Sequence, residues 1–255
     1  MTSAARRSTL RDAPRWLLSL AFNAHMYLVM ALMAVVFTPW ALVDRRGAFA
    51  GIRSYARYVR WAARVWLGLH TEVRGTVPDG EVLIAAKHQS FLDILVICSV
   101  VPRPKFVMKR ELVRMPILGW YALRIGCVPV DRGKRGAAVS DMLKAVEAGR
   151  DVPGQLIIYP QGTRVAPGVK APYKIGAFVL YEASGQACVP AATNVGAFWP
   201  RSGVMRRPGR GVVTFLELIP PGLPQDVFLA RLEQAVEAES DRLLHAVASP
   251  REARG

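Results

Sequence analysis

Cysteine is scarce in this chain and has no pattern. Cys98, Cys127 and Cys188 are the whole complement, odd in number and far apart. No disulfide framework and no paired-cysteine metal motif can be built from them, and a reducing, cytosolic environment fits this usage. Acidic residues are also few: 19 Asp and Glu stand against 34 Lys and Arg, for a net charge of +15. An excess of that size calls for an anionic partner, whether nucleic acid, a lipid surface or a phosphorylated substrate. Internal repeats and low-complexity tracts are missing. So is any nucleic-acid recognition motif, which leaves charge alone in favour of a nucleic-acid partner.

Charge disappears altogether from Trp16 to Val43, WLLSLAFNAHMYLVMALMAVVFTPWALV. About 20 apolar residues cross a bilayer core, so this run is long enough for a membrane helix; a buried core helix is the alternative. It lacks the short apolar stretch and small-residue cleavage site of a signal peptide. Arg6, Arg7, Arg11 and Arg15 precede it, and Arg45, Arg46 and Arg53 follow it. Cations on both flanks favour keeping both ends on the cytoplasmic side, as a monotopic or re-entrant anchor bent at Pro39 would do. In residues 51–69 Arg53, Arg57, Arg60 and Arg64 recur at helical spacing beside Tyr58, Trp61 and Trp66. That pattern suits a helix at headgroup level, and equally an amphipathic helix packed on the domain.

Beyond Gly75 short apolar runs alternate with helical patterns. Strands are expected at Val82–Ala86, Lys105–Met108, Cys127–Val130, Gln155–Tyr159, Ala187–Ala192 and Gly211–Leu218. Helices are expected at Phe91–Ser99, Leu112–Arg124, Ala137–Ala148, Ile175–Ala183 and Gln225–Ala246. The alternation predicts an α/β fold, a mixed sheet flanked by helices. The division is 1–70 for membrane-associated helices and 71–255 for the α/β domain.

Four short blocks can carry chemistry. In Lys87-His88-Gln89-Ser90-Phe91-Leu92-Asp93, Ser90 can cap a helix that brings Asp93 back to His88. A carboxylate on one imidazole nitrogen leaves the other free to take a proton. The same residues also read as a capping box with no catalytic role. In Tyr159-Pro160-Gln161-Gly162-Thr163-Arg164, Gly162 permits a tight bend, Thr163 offers a hydroxyl and Arg164 a fork for phosphate, with Lys170 and Lys174 nearby. A solvated surface turn is the plain alternative. Gly126–Arg132 can deliver Arg132 to a strand end, where it would share a phosphate with Arg164 or simply pair with an acid. Val189–Asn194 alone reads as a core strand.

Together, and in this order, the blocks resemble the glycerolipid acyltransferase family. Its His-x4-Asp block is similar to His88–Asp93, its Gly…Arg block to Gly126–Arg132, its aromatic-Pro-Glu-Gly-Thr-Arg block to Tyr159–Arg164, and its Val-Pro strand to Val189–Asn194. Lys109-Arg110-Glu111-Leu112 resembles a stretch found between the first two. The resemblance implies a glycerol-3-phosphate acyltransferase-like fold and transfer of a fatty acyl group from acyl-CoA or acyl carrier protein to the free hydroxyl of a lysophosphatidic acid. His88 would be the general base and Asp93 its orienter. Arg132, Gln161, Gly162, Thr163 and Arg164 would bind substrate, and no metal or other cofactor is implied. The partners would be lysophosphatidic acid, an acyl thioester, an anionic membrane surface and, as donor carrier, acyl carrier protein. Backbone amides at the helix start after His88 are candidates for the oxyanion. The expected location is the cytoplasmic face of a bacterial inner membrane. Glycerol 3-phosphate or another lysolipid is an alternative acceptor, and a non-catalytic lipid-binding protein is an alternative of another class. One departure stands out: Gln161 replaces the usual Glu, so a carboxylate at that position is excluded.

Overall fold

The computed structural model describes residues 3–131, 139–140, 142–144, 147 and 152–248, with side chains from residue 12 to 247. Helix α1 (Ser3–Val43) is a single rod of 41 residues with Pro14 and Pro39 inside it. The helix is unbroken at Pro39. The chain turns instead at Asp44, whose extended backbone and carboxylate, accepting from the Arg46 amide at 2.8 Å, start helix α2 (Arg45–Leu67). α2 folds back antiparallel on α1. A Cβ at Gly47 would lie 2.6 Å from the Ala41 nitrogen, so only glycine allows the two backbones so close at the tip. Farther down, His25 stacks on Trp66 at 4.8 Å and bonds Tyr58 at 2.6 Å. Phe22, fully buried, sits edge-on between Trp66 and Trp199.

The outer face of α1 remains bare. Leu28, Leu32, Val35 and Val36 are all more than half exposed, and only 17% of the most apolar window is buried. A core helix of a soluble domain would be covered, so α1 is a candidate membrane anchor. α2 has a different job. Arg53 donates to the Pro102 carbonyl, Arg57 to the Ser99 carbonyl, and Arg60 to the Ser99 hydroxyl and to Thr71. These cations satisfy the carbonyl end of α3 (Phe91–Val100), where a helix presents unpaired acceptors and partial negative charge. Of the two readings of this basic stripe, the packed helix describes Arg53, Arg57 and Arg60, while Trp61 and Val65 face outward.

Gly68 closes α2 in a left-handed conformation, and β1 (Leu69–Arg74) follows at once. The remaining strands are β2 (Leu83–Ala86), β3 (Pro104–Lys109), β4 (Val128–Val130), β5 (Gln155–Ile158), β6 (Cys188–Thr193) and β7 (Gly209–Phe215). They form one mixed sheet in the order β1-β7-β6-β2-β5-β3-β4. β6, β2, β5, β3 and β4 run parallel, and β7 reverses direction against β6. β2 and β5 are buried on both faces, as central parallel strands must be, which explains the unbroken apolar runs LIAA and LII. Ile84, Ala86 and Ile157 face α2 and α3. Leu83, Ala85, Leu156 and Ile158 face α5 (Gly176–Ser184) and α6 (Gln225–Ala248). The architecture is therefore helix–sheet–helix, with the α1–α2 hairpin laid on one side.

One strand was not expected, and one expected helix differs. β1 escaped notice because LHTEVR at a sheet edge has little apolar pattern. The helix expected over Leu112–Arg124 is split: a 3₁₀ turn (Arg110–Arg114) and α4 (Leu118–Arg124) flank Pro116, which restricts Met115 to extended backbone. Ile117 follows at φ 64, a costly conformation for a branched residue that starts α4 in a new direction. The helix expected at Ala137–Ala148 lies largely outside the described residues. Because Phe22 joins α1 to both α2 and the Trp199 loop, Phe22→Ala should destabilise the protein by about 3–5 kcal/mol. Denaturant unfolding in detergent would measure it, and a loss below about 1 kcal/mol would show that α1 is not packed in this way.

Candidate active site

The parallel strands deliver the chemistry-bearing blocks to one edge of the sheet, their carboxyl ends, where ligands gather in open α/β folds. Lys87 still pairs with β6 through its amide and the Ala191 carbonyl at 2.8 Å; then the chain leaves the sheet at His88. Asp93, in the first turn of α3, is 1% exposed, and its two oxygens divide the work. Oδ1 lies 2.9 Å from His88 Nδ1. Oδ2 accepts from the amides of Gln89 at 2.8 Å and Ser90 at 2.7 Å, while the Ser90 hydroxyl accepts from Leu92. The capping box and the orienting carboxylate are thus one structure and not rival readings. An ionised carboxylate only accepts, so the proton between the pair belongs to Nδ1, and in the neutral imidazole the lone pair is on Nε2.

Tyr159 completes the setting, although in the sequence it opened the second block and had no role assigned to it. Its ring stacks on the imidazole at 3.9 Å between centroids, and its hydroxyl donates to Asp93 Oδ1 at 3.3 Å. Burial, and then the adjacent carboxylate, push the phenol pKa well above its usual value, so it remains a donor at any working pH. The His88 carbonyl accepts from the Val165 amide at 2.8 Å, and Gln89 Oε1 accepts from the Gly196 amide at 3.0 Å, binding the neighbouring loops to this corner. Of the amides expected to serve an oxyanion, those of Gln89 and Ser90 are taken by Asp93 and that of Leu92 by the Ser90 hydroxyl.

The loop after β5 forms the second half of the site. Gly162 has φ 69, and a Cβ there would lie 2.9 Å from Lys174 Nζ, so the Lys174 ammonium sits directly over the turn. Thr163 is exposed. Arg164 donates to the Arg201 carbonyl at 3.0 Å, and Arg201 returns a bond to the Arg164 carbonyl at 3.1 Å. That exchange brings two guanidinium-bearing loops together. Arg201 was missed because a single Arg in WPRSG has no motif around it. Gln161 is 4% exposed and donates to the Ala171 carbonyl and to Glu237. It supports the loop from behind and does not line the cationic cradle expected to hold substrate. Arg132 lies outside the described residues. Asn194, at the end of β6, bonds Val212 at 2.8 Å and the Leu243 carbonyl at 3.1 Å, a structural tie between sheet and α6.

The cysteines take no part in this edge. All three are free and buried, and burial pushes the Cys127 and Cys188 thiols up to about 12, which makes them poor nucleophiles.

Residues 70–194 match the family model for acyltransferases. Among relatives, the 1-acyl-sn-glycerol-3-phosphate acyltransferase of Pseudomonas aeruginosa is 28% identical over 160 residues, covering 62% of this chain and 62% of its own length. The alpha form from Mus musculus is 29% identical over 183 residues, 70% of this chain and 61% of its own length. The Helicobacter pylori enzyme is 34% identical over 117 residues, 45% of this chain and 49% of its own. The chain therefore spans less than two thirds of these relatives. The crystal structure of the 1-acyl-sn-glycerophosphate acyltransferase from Thermotoga maritima superposes with a TM-score of 0.77 at 20% identity, over 92% of this chain and 98% of that one. The fold is thus that of the Thermotoga enzyme.

Asp93 serves the backbone as well as His88, so the two side chains should differ on removal. Asp93→Ala strands two buried amides and should cost about 1–3 kcal/mol, whereas His88→Ala should cost less than about 1 kcal/mol. Thermal or denaturant unfolding of both variants checks this; equal losses would mean that Oδ2 is not what holds the helix start.

Proposed function

We propose that this chain, whose residues 70–194 match the acyltransferase family model, is a membrane-associated 1-acyl-glycerol-3-phosphate O-acyltransferase that makes phosphatidic acid. The observation that carries the reading is the His88–Asp93 contact of 2.9 Å at the open edge of the sheet, next to the Arg164–Arg201 loops. The acceptor's free hydroxyl lies against His88 Nε2. As its oxygen attacks the thioester carbonyl, the proton passes to the imidazole, and Asp93 stabilises the imidazolium that forms. The new ester bond closes while the carbon–sulfur bond breaks, and the departing thiolate of coenzyme A or acyl carrier protein recovers the proton. The substrate hydroxyl is the nucleophile, so no acyl-enzyme is needed, in keeping with the buried thiols. General-base assistance contributes about 10²–10⁴-fold, and alignment of the two substrates supplies much of the remainder.

The acceptor phosphate is held by Arg164, with Thr163, Lys174 and Arg201 around it. Guanidinium forks suit a phosphate dianion, and the turn at Gly162 lets backbone approach it closely. Residues 1–70 bring this edge to the bilayer and 71–255 carry the reaction. α1 runs along α2 from Phe22 to Ala41, and the arginines of α2 are bonded to the end of α3. A helix held in that way does not stand upright across a bilayer; lying in the interface, it sinks its bare apolar face and leaves its flanking arginines among anionic headgroups. The site then faces the cytoplasm, where both acyl donors reside.

With purified protein in anionic vesicles, His88→Ala should lower turnover of lysophosphatidic acid by about 10²-fold or more while acceptor binding persists. Near wild-type turnover in this variant would remove the dyad from the mechanism. Arg164→Ala should act chiefly on acceptor KM, raising it about tenfold. The same change should matter far less for an acceptor without phosphate, and an unchanged KM for lysophosphatidic acid would place the phosphate elsewhere.

A further inference from the structure

A second buried charge lies directly behind the site, and the mechanism above does not use it. Lys87 is 3% exposed, and its ammonium is held by both oxygens of Glu237, at 2.6 and 2.7 Å. Glu237 belongs to α6, far away in sequence. Its Oε1 also accepts from the Tyr173 hydroxyl at 2.9 Å and from Gln161 Nε2 at 3.4 Å. Each of these three partners is one residue away from a member of the site. Lys87 precedes His88, Gln161 precedes Gly162, and Tyr173 precedes Lys174, whose ammonium covers the Gly162 turn.

The carboxylate is itself held firmly in place. Phe228, Leu232 and Val236 of α6 are fully buried against the sheet. One turn farther on, the Ser240 hydroxyl accepts from the Thr193 amide at 3.4 Å and the Leu243 carbonyl from Asn194. Packing fixes the helix, and the helix fixes Glu237. The partners are all donors: an ammonium, a phenol and an amide. Burial, then the charge of Glu237, push the Tyr173 phenol upward, so it too stays protonated.

We propose that Glu237 is the positioning carboxylate of this enzyme, standing in for the one that position 161 lacks, and that Gln161 is the amide it requires. One carboxylate on α6 thereby sets the spacing between the base-bearing loop and the phosphate-bearing loop. A glutamate at 161 would put a second carboxylate within hydrogen-bond reach of Glu237; a glutamine there donates instead of repelling. The position 161 substitution and the ion pair from a distant helix then form a matched set. This inference rests on the acyl-transfer reading of the site.

The test is an exchange cycle on the full chain in anionic vesicles: wild type, Q161E, E237Q and the double variant, each assayed for turnover of lysophosphatidic acid and for thermal unfolding. Each single change should lower kcat/KM about tenfold or more, with acceptor KM rising as well as kcat falling, because both loops move. The double variant moves the charge across one hydrogen bond and should recover to within about threefold of wild type. Losses that simply multiply in the double variant, or wild-type kinetics in E237Q, would overturn the proposal. Should E237Q not fold because Lys87 is stranded, K87M combined with E237Q removes that charge. It should fold and keep the kinetic defect, and full activity in it would also overturn the proposal. If wild type transfers no acyl group, the proposed function falls; recovery of the unfolding midpoint in the double variant then still decides whether the carboxylate can be exchanged.

Discussion

The Asp93 carboxylate is the point on which this structure turns. It is buried, and a buried carboxylate is tolerable only with its lone pairs engaged. One oxygen takes two backbone amides and starts α3; the other takes the imidazole and the Tyr159 hydroxyl. The backbone bonds prevent the carboxylate from rotating, so the imidazole it orients is fixed as well. The orientation of the imidazole and the start of the helix share a single side chain. This explains why a five-residue separation suffices: the cap itself folds the chain back.

From that corner the constraints spread outward. α3 starts at Phe91 with Asp93 in its first turn and ends among the arginines of α2, so the same helix that holds the imidazole of His88 also seats the hairpin. α1 is the outer arm of that hairpin and offers an uncovered apolar face. The opposite face of the sheet is closed by α5 and α6, and α6 reaches through Glu237 to the backs of both reactive loops. The corner around His88 is therefore gripped from two sides, by α3 and by α6.

Much of this was legible in the residues. Alternating apolar runs gave six of the strands nearly in place, because central parallel strands must be apolar throughout. The His88–Asp93 block announced its own geometry, since Ser90 can only cap a helix that starts at Phe91. What stayed hidden depends on contacts between distant residues. Arg201 meets Arg164 through backbone carbonyls that no local pattern encodes. Glu237 looked like one more acid on an amphipathic helix. The arginine stripe of α2 looked fit for headgroups until the end of α3 was found beneath it. The continuous α1 also went against a local rule: proline removes an N–H donor and is disfavoured inside a helix, yet the helix runs on through Pro39 for one more turn to Val43.

The central claim is that Asp93 holds the imidazole of His88 with its proton on Nδ1 and its lone pair on Nε2. Nitrogen NMR of histidine-labelled protein, with the His88 signals assigned by comparison with His88→Ala, reads that directly. The account predicts that neutral His88 carries its proton on Nδ1 and that Asp93→Ala disperses this preference. A neutral His88 protonated on Nε2, or one indifferent to the loss of Asp93, would contradict it.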